Sequence, residues 1–306
     1  SGMFGGPVLD AVVLLSRLVA TLHDEHGAVA VPGLEPPVSA LCVAPLGLDP
    51  DCVGTTGGSV GFRRSPAFLP ARLVPDLPSF AGRSVIVTGA NSGLGLVTAR
   101  ELARVGAAVT LAVRNVDKGG AAAAQMTGDV TVAELDLQNL DSVRAFAGGV
   151  EAVDVLVNNA GIMAVPYAQT ADGFESQIGT NHLGHFALTN LLLPKVTDRV
   201  VTVASLMHLI GWIDLKDLNW KSRPYLAWPA YGQSKLANLL FTSALQRRLS
   251  AAGSMVRAIA AHPGYSATNL QGQTGNAIGE KMMLAANKIA TDADFGARQT
   301  LFAVSE

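Results

Sequence analysis

From residue 84 onward the chain alternates short apolar runs with longer amphipathic ones, and no other feature limits its fold so sharply. The runs SVIVT (84–88), AVTLAV (108–113), VTVAEL (130–135), VDVLVNN (153–159), DRVVTVAS (198–205) and MVRAIAAHP (255–263) read as strands. Between them, residues 94–106, 116–128, 140–150, 172–196 and 230–249 read as helices. A strand that is apolar on both faces must be covered on both. Strand–helix alternation joins parallel strands through right-handed crossovers. The expected fold class is therefore α/β, a doubly wound parallel sheet of Rossmann type. Such a sheet binds its ligands outside the carboxyl ends of the strands.

Upstream of residue 80 this order is lost. Nine of the 15 prolines fall between Pro32 and Pro78, together with the glycine cluster VGTTGGSVG. No period of either kind is sustained there, so residues 35–79 read as a Pro/Gly-rich linker. Within residues 1–34, Val8, Val12, Leu15 and Val19 recur at helical spacing. Residues 80–306 form the sheet domain. With 306 residues, 49% of them hydrophobic, the chain can bury a large core. A net charge of −2 without a basic stripe argues against nucleic acid or an anionic membrane as partner. No apolar run reaches the ~20 residues of a membrane span. Cys42 and Cys52 fit no metal or redox spacing, and His23, Asp24, Glu25 and His26 are consecutive at a helix end and share no face, so no metal site is expected. A cytoplasmic protein is the simplest reading.

The first strand runs into TGANSGLG, where Gly89, Gly93 and Gly95 are spaced G-x3-G-x-G around Asn91, Ser92 and Leu94. Glycines let backbone amides approach a pyrophosphate, and the following helix points its amino end at it. The alternative, a tight strand–helix turn without a ligand, weakens because the motif follows a buried strand and opens a helix. At the end of the second strand, where an acidic residue would select NAD, stands Arg114. A guanidinium matches the 2′-phosphate of NADP, so NADP is favoured over NAD. After the third strand, Asp136 and Leu137 face the adenine, or Asp136 belongs to the cap region of the next helix.

Tyr231 and Lys235, in YGQSK, lie one turn apart on one helical face. Alone they read as a surface pair. In order, however, TGANSGLG, VNNAG, VTVAS, YGQSK and HPGYSATNL resemble the short-chain dehydrogenase/reductase family over residues 80–303. NHLGHFALT, LAVRN and the long spacer between Ser205 and Tyr231 look most like its retinol dehydrogenase and protochlorophyllide reductase branch.

The resemblance implies roles. Tyr231 is the general acid/base, Lys235 favours its phenolate and holds the nicotinamide ribose, Ser205 bonds the substrate oxygen, and Asn181 anchors a proton-relay water. Lowering a phenol from ~10 by about three units corresponds to roughly 4 kcal/mol. Asn158, Ala160 and Gly161 belong to the motif after the fourth strand. Pro263, Gly264 and Thr268 lie by the nicotinamide, with Thr268 touching its carboxamide. His182, His185 and His208 pack or line the pocket. Met282 and Met283 cover substrate or pack a helix. Trp212, Trp220, Tyr225 and Trp228, in the spacer, shape an apolar pocket or pack outside the sheet.

Two departures stand beside this. SGMFGGPVLD resembles a glycine-rich element of aminoacylase and carnosinase-type metallopeptidases, over a piece too short to hold their metal ligands. The family usually continues into a seventh strand, whereas this chain stops at LFAVSE, so a truncated C-terminal edge is expected. That region commonly carries dimer or tetramer contacts, which leaves a homo-oligomer open. The expected function is an NADP-dependent oxidoreductase for a small apolar carbonyl or alcohol substrate. The alternative is a non-catalytic NADP-binding or interaction protein, and turnover separates the two.

Overall fold

The computed structural model describes residues 77–263 and 293–306. Six strands, β1 (Ser84–Thr88), β2 (Ala108–Val113), β3 (Asp129–Glu134), β4 (Val153–Asn158), β5 (Val196–Val203) and β6 (Arg257–Ala261), form one sheet. All neighbours are parallel, in the order β3-β2-β1-β4-β5-β6. The chain runs outward from β1 to β3, returns to the middle, and runs outward the other way from β4. Between β1 and β4 the connections leave to opposite faces, which opens a crevice at their carboxyl ends.

The helices are α1 (Gly93–Arg104), α2 (Val116–Ala123), α3 (Leu140–Gly148), α4 (Gly184–Leu192), α5 (Ala227–Ala251) and α6 (Ala293–Ser305). Side chains alternate along a strand, so β1 serves two cores. Val85 and Val87 share one with Val97 and Leu102 of α1 and with Leu301 and Val304 of α6. Ile86 belongs to the other, with Phe146 of α3, Leu188 of α4 and Phe241 of α5. Each such side chain contributes ~1.5–3 kcal/mol by leaving water. Phe80, 1% exposed, already belongs to the first core.

β1 and β2 span the expected residues, and the other strands shift by a few positions at their ends. Two helices differ from expectation. The helix expected over 116–128 ends at Ala123. Beyond it Gly128 takes φ +112, and a Cβ there would lie 2.5 Å from Ala103 O, so the chain must leave the helix to pass close to α1. The single helix expected over 172–196 is broken into a turn at Ser176–Ile178, a π segment at Gly179–Leu183, then α4 and a 3₁₀ turn at Leu193–Lys195. Thr180 Oγ1 donates to Ser176 O at 2.7 Å, competing with the backbone ladder. Gly179 opens the π segment and Gly184 follows it, each against a close neighbour. A Cβ at Gly179 would lie 2.4 Å from Thr170 Cγ2, and one at Gly184 2.5 Å from Leu137 O.

Among the described residues β6 pairs with β5 alone. Residues 1–34, the linker as far as residue 76, Cys42, Cys52, Gly264, Thr268, Met282 and Met283 lie outside the described residues.

Candidate active site

The crevice holds a cavity of about 630 Å³, a volume typical of cofactor sites. One wall is the turn after β1, where Gly89 adopts φ +65. A Cβ on Gly89 would sit 2.9 Å from Ala160 Cα, and one on Gly95 would sit 2.4 Å from Asn159 Nδ2 and 2.7 Å from Gly89 O. Turn and neighbouring loop touch where only glycine fits. Ser92 precedes α1 in extended conformation and makes no side-chain cap. The first amides of α1 therefore keep their donors for the cavity, which Gly89, Asn91, Ser92, Gly93, Leu94 and Gly95 line. That donor set suits a pyrophosphate.

At one end Arg114 stands exposed after β2 and lines the same cavity, with Asp136 and Leu137 nearby. Asp136 Oδ1 accepts from the Gln138 amide at 2.9 Å, while Asn139 caps α3 by accepting from Asp141 N at 2.9 Å. Asp136 thus lines the cavity and also holds the turn that leads into α3.

At the other end are Ser205, Tyr231, Lys235 and Pro263. α5 starts at Ala227, so Tyr231 and Lys235 share its inner face one turn apart. Both are buried. Lys235 Nζ donates to Val203 O at 3.1 Å and lies 5.7 Å from the Tyr231 ring centroid. Burial pushes the Tyr231 phenol up to about 12, although a hydrogen bond with Ser205 pulls the other way. Burial also pulls Lys235 down to about 8. Desolvation opposes charge on either group, and the Lys235 ammonium gives one of its three donors to a backbone carbonyl. Ser205 Oγ also accepts from Met207 N at 3.3 Å, which starts the 3₁₀ turn Leu206–Ile210. Gly211 seats that segment on α5, since a Cβ there would lie 2.3 Å from Gly232 O.

Asn181 lies in the π segment, fully buried behind the cavity wall. A Cβ on Gly161 would be 3.1 Å from Asn181 Oδ1 and 3.7 Å from Lys235 Nζ. Asn181 accepts from the Ile162 amide at 2.8 Å and donates to Ile162 O and Ser234 Oγ, each at 2.9 Å. It ties the loop after β4 to α5. Ala160 and Gly161 line the cavity, but Asn158 does not. Its Nδ2 donates to Thr189 Oγ1 at 2.9 Å, on the helix side of the sheet. Asn159, the residue just past β4, faces the cavity in its place.

Sequence reasoning also passed over His262, which lines the cavity. Its signal was its position, the last residue before the Pro-Gly pair at a strand end. Of the spacer aromatics only Trp228 reaches the cavity, edge-on to Tyr231 at 6.5 Å. Trp212 is 70% exposed, and Trp220 is buried beneath the Arg223 guanidinium, 3.7 Å away. Tyr225 is taken up by Glu175 and Gln177, at 3.0 and 2.7 Å. His182 and His185 are buried outside the cavity, and His208 Nδ1 donates to Ser205 O at 2.7 Å. Among the described residues no three side chains are grouped to hold a metal, and no helix is long and apolar enough to cross a membrane.

Comparison with known proteins meets this geometry. The family model for short chain dehydrogenase matches residues 83–217. Retinol dehydrogenase 13 of Homo sapiens is 44% identical over 236 residues, 73% of this chain and 70% of the relative. Retinol dehydrogenase 12 of Mus musculus is 50% identical over 196 residues, 60% of this chain and 61% of the relative. The crystal structure of an uncharacterized protein from Mycobacterium Paratuberculosis is 66% identical, with a TM-score of 0.67 over 76% of this chain and 80% of that one.

Proposed function

The chain belongs to the short-chain dehydrogenase/reductase family, on its retinol dehydrogenase-like branch, and from that premise we propose that it is an NADP-dependent oxidoreductase for an apolar carbonyl or the corresponding alcohol. The observation that carries this reading is a single cavity running from Arg114, past the glycine turn, to Tyr231. Arg114 would pair with a 2′-phosphate, and the amides of α1 would hold the pyrophosphate. Pro263 would stand at the nicotinamide end. Bound nicotinamide would supply or accept the hydride.

The protein's own part is orientation and proton transfer. Ser205 Oγ would hold the substrate oxygen, and Tyr231 Oη would deliver a proton to the alkoxide during reduction and recover it during oxidation. A phenol pushed up to about 12 is in its acid form at neutral pH, which suits reduction. Base work needs added positive charge, which Lys235, 5.7 Å from the Tyr231 ring centroid, would supply. Asn181 would hold the loop and α5 in register for both. Met163, Leu206, Met207, Ile210 and Trp228 make the substrate end apolar, which favours an apolar carbonyl.

Titration with NADPH and NADH, followed by nicotinamide fluorescence, tests the cofactor. NADPH should bind more tightly, and Arg114→Ala should remove that preference while leaving NADH unchanged. Equal affinities in the unaltered protein would sink the NADP assignment. A panel of apolar aldehydes then tests the chemistry. Turnover should fall ~10²–10⁴-fold in Tyr231→Phe with NADPH binding retained. Binding without turnover in either direction would leave a non-catalytic nucleotide-binding protein.

A further inference from the structure

We infer that His185 is a positioning residue of the nucleotide site, a neutral imidazole in one tautomer that ties the backbone lining the cavity to the carbonyl of Asn181. The inference rests on the nucleotide reading above. Its basis is the hydrogen bonding around Thr88, the last residue of β1, which is fully buried.

Thr88 Oγ1 accepts from the amides of Asn159 and Ala160, both at 2.9 Å. Those two donors occupy both lone pairs and leave one proton to place. Two acceptors face it, His185 Nε2 at 2.9 Å and Val157 O at 3.3 Å. On the other side of the ring, His185 Nδ1 lies 3.1 Å from Asn181 O. A carbonyl only accepts, so Nδ1 must carry the ring proton. The neutral ring then presents a lone pair at Nε2, and the Thr88 hydroxyl donates to it. All these donors and acceptors are satisfied by one arrangement of protons, running from Thr88 through the ring to Asn181.

Both ends of that arrangement meet the site. Asn159 and Ala160 line the cavity. Asn181 grips Ile162 and Ser234, the neighbour of Lys235. A second proton on the ring would aim an N–H at a threonine oxygen whose lone pairs are already taken. The titratable groups facing the ring, Lys235 and His182, both oppose that proton, as does complete burial. Asn181 belongs to the π segment one turn before His185, and such interruptions often occur at functional sites.

The ring can be read directly in the unaltered protein. With 15N-labelled histidine, the His185 ring nitrogens should report a neutral Nδ1–H tautomer across roughly pH 5 to 8. An Nε2–H tautomer, or titration near the ordinary histidine value, overturns the inference. The functional arm compares Thr88→Val, which keeps the shape and removes the hydroxyl, with Thr88→Ser, which keeps the hydroxyl. The valine should raise the NADPH dissociation constant about tenfold or more, and serine should restore most of it. Unchanged NADPH affinity in the valine variant overturns the positioning role. Failure of the unaltered protein to bind either nucleotide, with the ring signature intact, overturns the oxidoreductase reading and the role that depends on it.

Discussion

Acidification should destabilise this fold well before its carboxylates are protonated, because two histidines are sealed inside it without charge. His182 and His185 are each 2% exposed. Burial lowers His182 to about 4 and His185 to about 3, against the help each receives from a hydrogen bond. In the unfolded chain both return to ~6.5. Between the folded and unfolded values the unfolded state binds protons that the folded state refuses. The stability is therefore fully present above about pH 6.5 and is lost as pH falls toward the folded values. For His182 at pH 5 the difference amounts to ~2 kcal/mol, and His185 adds a similar loss. Domains of this kind have only ~5–15 kcal/mol in total. His182→Gln isolates one of the two. It retains an amide donor for Asn238 Oδ1, which His182 Nδ1 meets at 3.1 Å, and it does not titrate. Urea unfolding at several pH values between 8 and 5 should show the variant losing ~2 kcal/mol less than the unaltered protein. Against the pull of burial, hydrogen bonds hold the carboxyls of Asp154 and Asp198 low, and both proteins share that contribution. Equal pH slopes would refute the claim that burial holds His182 neutral.

Three further outcomes are expected. Lys235→Met should stabilise the nucleotide-free fold by ~1–3 kcal/mol at pH 7 while abolishing turnover, because burial that lowers the amine to about 8 also penalises its charge; a drop in stability by urea unfolding would contradict this. Gly95→Ala places a methyl 2.4 Å from Asn159 Nδ2 and 2.7 Å from Gly89 O, so NADPH affinity should collapse and stability fall by ~1–3 kcal/mol, with unchanged binding as the opposing result. Trp228→Ala should raise KM for a bulky apolar aldehyde by about tenfold while leaving the NADPH dissociation constant alone, and an equal rise for acetaldehyde would show that the tryptophan does not shape the substrate end.

The sheet was legible because its signal is local. Val85, Ile86 and Val87 are apolar in succession, and only a strand covered on both faces uses all three. The glycine turn was legible for the same reason, since it follows that strand immediately. Less legible was the segment around NHLGHF, whose composition reads as plain helix. Gly184 after its π turn sits against Leu137, a residue far outside any local window. Asn158 and Asn159 were indistinguishable as letters, yet Asn158 closes β4 against Thr189 while Asn159, just past the strand, faces the cavity. The aromatic spacer looked uniformly suited to a pocket, yet three of its four large rings are committed elsewhere or exposed.

By itself the sequence determined the order of strands and helices, the place of the glycines, and the one-turn spacing of Tyr231 and Lys235. These follow from periodicity and from the conformations that individual residues permit, which are properties of neighbours along the chain. Only the tertiary structure decided the protonation of the site. Tyr231 is pushed up and Lys235 down because elements distant in sequence exclude water from both. The tautomer of His185 is set by Thr88, 97 residues away, and by a carbonyl in a distorted helical turn. Charge and proton position depend on burial and on partners across space, and neither can be read from residues in a row.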